Sequence, residues 1–279
     1  MPEDGTSAEL TRSYSHNIED YPEGIVLPVD KPYRWTSADV IRKIKYAAVR
    51  HFGKKNLKVG HAGTLDPLAT GILLVCIGAA TRRAEELQRS AKEYVAGVTF
   101  GATTPSYDLE KEIDRECPLD GVSEEALRAA LPGFLGEQDQ VAPLFSAKSV
   151  DGVRAYETAR RLLREAQREG RPFDPGDILR SGRISIYELE LLSWHGHIVQ
   201  DFTDDGQGRI RVADVSGRAL PTARIRVACS KGTYIRSLAR DLGEALGSGA
   251  FLSSLRRTKN GGFTIEDAVS LEEALERLA

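Results

Sequence analysis

Residues 58–71 read Lys-Val-Gly-His-Ala-Gly-Thr-Leu-Asp-Pro-Leu-Ala-Thr-Gly and lead directly into the apolar segment 72–77. A short and wholly apolar segment predicts a strand that is covered on both of its faces. The glycines at positions 60, 63 and 71 allow a positive φ or the close approach of another backbone. The stretch therefore predicts a stiff loop mounted on a buried core strand.

Asp66 is the residue of this loop that suggests chemistry. Pro67 favours extended geometry at Asp66, which restricts where its carboxylate points, and a stiff loop beside a core strand suits a catalytic group. A structural glycine-rich turn with a capping aspartate is the alternative interpretation. The loop is not a Walker A loop, because no Gly-Lys-Ser/Thr follows the glycines. A two-acid glycosidase would need a second carboxylate, which only a distant part of the chain could supply.

Outward from this loop, the hydrophobic periodicity predicts strands interspersed with helices. Strands are predicted at 25–29, 94–100, 183–192 and 224–229, and helices at 123–131, 156–169 and 235–246. Two capping boxes, which begin at Thr36 and Ser270, predict two further helices. Residues 170–176 are dense in turn formers and predict a loop. Because no regular βαβ rhythm is present, we expect an α/β or α+β fold around one mixed sheet.

The composition limits the class of protein. The chain has 279 residues, of which 41% are hydrophobic and 28% charged, and its formal net charge is −3. Its three cysteines form no C-x-x-C pair, which excludes a disulfide scaffold and favours a reducing compartment. We expect a cytoplasmic protein, because the longest apolar run is too short to span a membrane and no secretory signal is present.

Charge is distributed unevenly along the chain. Residues 1–24 carry six acids and one arginine, and we expect them to form a flexible tail. Residues 31–60 have a net charge of +8 and residues 224–260 a net charge of +6. Two basic zones suggest an anionic partner, although counter-charges close in space could also balance them. Residues 196–221 form a polar insert, which we expect to be a surface excursion.

Two further features bear on binding. Arg236 lies at the start of the predicted helix 235–246, where a cation opposes the helix dipole at a cost of about 0.3–1 kcal/mol. A compensating carboxylate or phosphate would explain this position, as would an exposed arginine that points away from the axis. His195 and His197 could face one side of a strand, but no third metal ligand is near. The spacing within 201–212 does not fit a calcium loop.

Four sequence blocks occur in an order that resembles one known family. They are the stretch 60–71, then Lys92-Glu-Tyr94, then Cys229-Ser-Lys-Gly-Thr-Tyr-Ile-Arg236, and finally Leu255-Arg-Arg257. Val29-Asp-Lys-Pro32 and Ser146-Ala-Lys148 add to the similarity. From about Gly24 to its end, the chain resembles the TruB family, the tRNA pseudouridine synthases that act on uridine 55 of the T loop. The insert 196–221 is unmatched.

The resemblance implies an architecture. It predicts the pseudouridine synthase fold, with a mixed, mostly antiparallel central sheet flanked by helices and loops, over a catalytic domain at 25–279. The family's mobile, RNA-clamping insertion corresponds to about 136–182, and the RNA-binding PUA domain of many members has no counterpart. In that insertion, the RNA phosphates could be bound by five cations, Lys148, Arg154, Arg160, Arg161 and Arg164. Residues 170–176 would form the flexible tip of the insertion.

The resemblance also implies roles for single residues. Asp66 matches the catalytic aspartate, which attacks the target nucleotide without metal or cofactor, and Arg236 matches the arginine that orients and balances it. Tyr94 matches the tyrosine that stacks on the flipped base, and His61 the residue that fills the space this base leaves. Tyr234 and Leu255 match residues that line the uracil pocket. Asp108 matches an aspartate that the family keeps near the active site. Without the resemblance, Tyr94 and Leu255 could be core residues and His61 an ordinary loop histidine.

We therefore predict a cofactor-free isomerase of uridine 55 in the T stem-loop of tRNA, with no membrane and no obligate protein partner. Three alternatives remain open from the sequence. A non-catalytic RNA binder that folds tRNA would share the basic zones but would not need Asp66. The guide-RNA-dependent branch of the family relies on a further C-terminal domain and protein partners. A nucleoside glycosidase would act on free nucleosides and would leave the basic zones unexplained.

Overall fold

The structure is a computed structural model, and it describes residues 13–143, 149–150, 153–154, 165, 168, 181–200, 202, 204 and 206–279. The predicted loop 170–176 and nearly all of the predicted helix 156–169 lie outside these residues. So do Lys148, Arg160, Arg161, Arg164 and the side chain of Arg154. That these cations bind RNA phosphates stays a prediction.

Strands and helices are interspersed along the described chain. The strands are β1 (Ile25–Lys31), β2 (Val59–His61), β3 (Ala69–Ile77), β4 (Lys92–Phe100), β5 (Ala102–Thr103), β6 (Arg115–Glu116), β7 (Gly136–Val141), β8 (Ser149–Val150), β9 (Val153–Arg154), β10 (Ser181–His195), β11 (Thr222–Cys229), β12 (Ala250–Asn260), β13 (Phe263–Thr264) and β14 (Val269–Ser270). The helices are α1 (Ser37–His51), α2 (Ala84–Arg89), α3 (Glu124–Ala130), α4 (Ile235–Ala245) and α5 (Leu271–Glu276). No helix among the described residues is both long and apolar enough to cross a membrane.

The chain divides into two compact units. The first consists of Met1–Glu93, Phe202–Ile210 and Arg256–Ala279, and the second of Tyr94–Asp201 and Arg211–Leu255. In the first unit, β3 pairs with both β1 and β2 in antiparallel orientation, while β14 lies parallel to β1. All nine residues of β3 are buried, so the prediction of a strand covered on both faces is confirmed.

Helix α1 begins where the sequence predicts. The Thr36 hydroxyl accepts a hydrogen bond from the Asp39 N–H, and the Asp39 carboxylate accepts one from the Thr36 N–H, so both halves of the capping box are present. Val40, Ile44 and Ala48 are fully buried at helical spacing. The opposite face of α1 is left to solvent, and it carries four of the nine basic residues of the zone 31–60, namely Arg42, Lys43, Lys45 and Arg50.

In the second unit, the strand order is β4-β11-β10-β7. Residues of β11 alternate between buried and half-buried, which is the period of a strand with one face on the core. Antiparallel pairing joins β10 with both β11 and β7, and β12 with β13, whereas the isolated bridge between Asp108 and Leu252 is parallel. The predicted mixed, mostly antiparallel α/β architecture is confirmed.

Part of the predicted acidic tail contacts the end of α1. The ring of His16 lies against that of His51, with their centroids 4.3 Å apart. The His51 Nε2 atom lies 3.1 Å from the carbonyl oxygen of Tyr14 and 3.2 Å from that of Ser15. Ile18 is buried within a short 3-10 helix. From Tyr14 onward, this segment therefore has specific contacts within the first unit.

Candidate active site

Two buried polar side chains of the first unit hold the backbone on either side of Asp66. The Ser37 hydroxyl donates to the carbonyl oxygen of Leu65 and accepts from its N–H, both at 3.0 Å. The Lys31 ammonium, which is fully buried, donates to the carbonyl oxygen of Pro67 at 3.1 Å. Asp66 itself is half-buried. Its two neighbours are thus fixed by groups of the segment 31–37, and the sequence reasoning did not assign this role to that segment.

The end of the loop is packed against the backbone of β12. Gly71 has a φ of 94°, and a Cβ at this position would lie 2.2 Å from the carbonyl oxygen of Arg257, so only glycine fits. Gly63 also has a positive φ, of 98°. The expectation is wrong for Gly60, which has no positive φ and where an added Cβ would meet nothing within 4 Å. Gly60 pairs in the short strand β2, where an ordinary backbone conformation suffices.

Arg257 is a structural arginine of the first unit. Its guanidinium is buried, and it donates to the carbonyl oxygen of Ile72 at 2.7 Å and to that of Gly63 at 3.0 Å. These two bonds join the glycine-rich loop to the strand that follows it. The arginine therefore serves the shape of the loop that carries His61 and Asp66.

His61 is the last residue of β2 and is half-buried. Its Nδ1 atom is buried and has no hydrogen-bond partner among the described residues. Burial lowers the pKa of His61, and the positive charge of Arg257 lowers it further. A neutral imidazole is therefore favoured.

Arg236 lies in the first turn of α4 and is buried, with 3% of its surface exposed. Its Nε atom lies 3.7 Å from the Asp108 carboxylate, and its Nη1 atom donates to the carbonyl oxygen of Ser106 at 3.2 Å. The Ser106 hydroxyl and the Glu110 N–H both donate to Asp108, at 2.6 and 2.9 Å. The compensating carboxylate that the helix position predicts is therefore present as Asp108, and the alternative of an exposed arginine is wrong.

Tyr234 is the N-cap residue of α4, and its backbone is held by two hydrogen bonds to a side chain. The side-chain amide of the buried Gln140 accepts a bond from the Tyr234 N–H at 2.8 Å and donates one to its carbonyl oxygen at 3.1 Å. Tyr94 is buried on β4, whereas Leu255 on β12 is half-buried. The sequence does not reveal Gln140, because a lone glutamine in a short strand carries no local signal.

The two units divide the predicted site residues between them. His61 and Asp66 belong to the first unit, on β2 and on the loop before β3. Tyr94, Tyr234, Arg236 and Leu255 belong to the second. Within the second unit, the structure places the carboxylate of Asp108 beside the guanidinium of Arg236.

The basic zone 224–260 is largely neutralised in space. Its Arg257 is buried, and most of its other cations pair with acids: Arg226 with Glu188 and Glu190, Arg236 with Asp108, Arg240 with Asp241, Arg256 with Asp30, and Lys259 with Glu93. The structure therefore favours the alternative interpretation of this zone, in which counter-charges lie close in space. Nearby counter-charges account for it.

The zone 31–60 retains a charged surface on the outer face of α1 and in the turn after it. Lys31 is buried, Arg34, Arg42 and Lys54 form ion pairs, and the exposed Lys43 ammonium lies over the Trp35 ring, 4.6 Å from its centroid. The remaining cations of this surface are exposed and form no ion pair with any described residue; they are Lys45, Arg50, Lys55 and Lys58. Tyr46 stands among them with 74% of its surface exposed. We name these five residues the α1 surface.

His195 and His197 lie close together at and just beyond the end of β10. The His195 Nε2 atom lies 2.9 Å from the Ser193 hydroxyl, and the two imidazole centroids are 5.8 Å apart. Among the residues that the structure describes, no group of three or more His, Cys, Asp or Glu side chains could hold a metal ion.

Comparison with known proteins defines the class to which this fold and these residues belong. Residues 50–235 match the model of the TruB family pseudouridylate synthase N-terminal domain. Residues 236–279 match that of the tRNA pseudouridylate synthase B C-terminal domain. The chain belongs to the TruB family of pseudouridylate synthases, and it is therefore a pseudouridine synthase, an isomerase.

Individual relatives agree with this assignment. The chain is 45% identical over 259 residues to tRNA pseudouridine synthase B of Phocaeicola vulgatus, covering 93% of this chain and 95% of that one. It is 41% identical over 254 residues to tRNA pseudouridine synthase B of Thermus thermophilus, covering 88% of this chain and 75% of that one. These relatives support pseudouridine formation in tRNA as the activity of this protein.

A solved structure has a similar fold. One chain of a Cbf5-Nop10-Gar1 complex superposes with a TM-score of 0.59 at 28% identity. The match covers 93% of this chain but only 56% of that chain.

Proposed function

We propose that the protein converts uridine 55 in the T stem-loop of tRNA to pseudouridine, with Asp66 as the nucleophile. The observation that carries this proposal is the position of Asp66 in a TruB-family chain, on a loop whose two neighbouring residues are held by the buried Ser37 and Lys31. A carboxylate whose backbone is fixed from both sides is oriented before the substrate arrives, and such preorganisation lowers the barrier of the chemical step.

The reaction needs no oxidant and no second substrate. The bond between C1′ and N1 breaks, a bond between C1′ and C5 forms, and one hydrogen is lost from C5 while another is gained at N1. The carboxylate of Asp66 attacks the target nucleotide and is released when the uracil rejoins through carbon, so it acts as a covalent catalyst. In this proposal Arg236 orients and balances the reacting carboxylate.

The target base must leave the loop of a folded RNA to reach Asp66. Flipping costs a few kcal/mol, and stacking of the base on the Tyr94 ring, worth about 1–3 kcal/mol, offsets much of this cost. Tyr234 and Leu255 line the uracil pocket, and the neutral His61 fills the space that the base vacates. The Gln140 amide, which bonds both backbone groups of Tyr234, supports this positioning.

The α1 surface supplies contacts to the phosphates of the tRNA. Lys45, Arg50, Lys55 and Lys58 are exposed and carry no counter-charge among the described residues, so an RNA backbone can neutralise them without displacing an acid. Such contacts would hold the tRNA without reading its sequence.

The test is the position-by-position conversion of an unmodified tRNA transcript by the wild type and by Asp66→Asn. Pseudouridine is located by carbodiimide labelling and primer extension. A stop at position 55 with the wild type alone is expected. A stop elsewhere would overturn the position, and a stop with Asp66→Asn would overturn the role of Asp66. Tight tRNA binding by both proteins, with no conversion by either, would indicate an RNA-folding factor instead.

A further inference from the structure

The polar insert 196–221 contacts the segment that holds the Asp66 loop. The ring of Phe202 stacks on that of Tyr33, with centroids 3.6 Å apart and an interplanar angle of 14°. The Asp204 carboxylate accepts a bond from the Arg34 guanidinium at 2.9 Å, and the carbonyl oxygen of Ile210 accepts one from the Arg34 Nε atom at 2.7 Å. The described residues of this part of the insert lie at the surface, as expected, but they also make specific contacts with Tyr33 and Arg34.

The insert backbone also lies directly on residues 33 and 34. A Cβ at Gly208 would be 2.2 Å from the Arg34 Cβ atom and 3.0 Å from the carbonyl oxygens of Tyr33 and Arg34. This position therefore requires glycine. We name Phe202, Asp204, Gly208 and Ile210, all in the first unit, the insert contact residues.

Arg34 has a backbone conformation that needs such support. Its φ is 64°, in the left-handed region where a non-glycine residue costs of order 1–3 kcal/mol. A strained residue persists only when its surroundings over-determine it. The hydrogen bonds from the Arg34 side chain to Asp204 and Ile210 hold the residue in this strained conformation.

The segment that the insert contacts is the one that fixes Asp66. Tyr33 and Arg34 lie between Lys31 and Ser37, whose side chains hold Pro67 and Leu65. The Lys31 ammonium also donates to the carbonyl oxygens of Pro32 and Trp35, which ties the turn 32–35 to the same side chain. A shift of this turn would therefore move the donors that hold the Asp66 loop.

We propose that the insert contact residues are positioning residues for the reaction: they clamp Tyr33 and Arg34 and thereby fix the orientation of Asp66. This inference rests on the proposed role of Asp66 as nucleophile. It gives the insert a function in the chemical step, whereas the sequence alone offers none.

The chain offers a matched pair of variants. Asp204 and Asp214 both accept a bond from the backbone N–H two residues ahead, at Gly206 and Ser216, each at 2.9 Å. Only Asp204 also bonds Arg34. Asp204→Ala removes the clamp together with a local turn bond, and Asp214→Ala removes a local turn bond alone. Phe202→Ala removes the stack, and Phe202→Tyr retains it.

The measurement is single-turnover conversion of tRNA with enzyme in excess of its Kd, together with the Kd for tRNA and the Tm. Asp204→Ala and Phe202→Ala are expected to lower the rate constant about 10-fold, because small misplacements of a reacting group cost at least this much. Their tRNA Kd is expected to match the wild type, while Asp214→Ala and Phe202→Tyr retain the wild-type rate constant. The enzyme is kept in saturating excess over the tRNA, so an inactive fraction leaves the rate constant unchanged, and the Tm reports a fold defect separately.

Wild-type rate constants in Asp204→Ala and Phe202→Ala would overturn the inference. A loss of tRNA affinity that accounts for the whole effect would also overturn it, since the insert would then bind RNA. The rate constant is measured at whichever uridine the wild type converts, so an error in the proposed position does not affect this test. Retained activity of Asp66→Asn would count against the proposed nucleophile separately.

Discussion

The Nε atom of Arg236 lies 3.7 Å from the carboxylate of Asp108, and neither side chain is more than 5% exposed. A cation in the first turn of a helix opposes the helix dipole, and a buried cation without a counter-charge is far more costly still. The negative charge of Asp108, which belongs to the same unit as Arg236, offsets both of these costs. The position of Arg236 is therefore an electrostatic arrangement of two residues that are distant in the sequence.

Asp108→Asn is expected to destabilise the protein strongly. The substitution keeps the shape of the side chain but removes the negative charge beside Arg236, and breaking a buried pair costs about 3–5 kcal/mol. Urea unfolding measures the change. Glu124→Gln is the control, because it breaks an exposed pair with Arg128 within α3, and such pairs contribute at most about 1 kcal/mol. Equal effects of the two substitutions would contradict this account of Asp108.

Gly71→Ala is expected to destabilise more than Gly53→Ala. Both glycines have a positive φ, of 94° and 60°, so both substitutions introduce backbone strain. At Gly71 the new Cβ would also lie 2.2 Å from the carbonyl oxygen of Arg257, whereas nothing lies within 4 Å at Gly53. Strain alone costs about 1–2 kcal/mol. Thermal unfolding should show a loss beyond this amount at Gly71 only, and similar losses at both positions would refute the steric argument.

His61 is expected to make stability fall as the pH is lowered below about 6.5, the ordinary histidine pKa. Burial, with Arg257, lowers the pKa of His61 in the folded state, so the unfolded chain binds a proton more readily in this range. Stability then rises with pH, by at most about 1.4 kcal/mol per pH unit for one group.

Urea unfolding of the wild type and of His61→Gln at pH 7.5 and 5.5 measures this contribution. The wild type should lose more stability between the two pH values than the variant, which lacks the titrating group. A direct NMR titration of the His61 ring should give a pKa below 6.5. A value at or above 6.5 would show that burial does not govern this residue.

Neutralising the α1 surface is expected to weaken tRNA binding in a salt-dependent manner. Lys45→Gln with Arg50→Gln removes two exposed cations, so the slope of log K against log salt should fall by about 1 for each lost phosphate contact. Arg89→Gln with Arg128→Gln is the control, because these exposed arginines pair with Glu85 and Glu124. An unchanged slope in the α1 variant would place the tRNA on another surface.

Features that depend on near neighbours in the sequence were predicted well. The capping box of Thr36 and Asp39 is read from four consecutive residues, and the period of Val40, Ile44 and Ala48 identifies the buried face of α1. The apolar segment 72–77 predicts a buried strand for the same reason. Steric preferences and hydrogen bonds within a few residues determine these structures, so the sequence carries them directly.

Contacts between distant segments required the tertiary structure. The sequence alone determined the family, the glycine-rich loop and Asp66 as its candidate nucleophile. Only the folded chain decided that Asp108 faces Arg236, that acids neutralise the zone 224–260, and that the insert holds Tyr33 and Arg34. A charged group or a ring meets a distant partner only when folding closes the loop of chain between the two residues. No local sequence pattern identifies which distant residue that partner is.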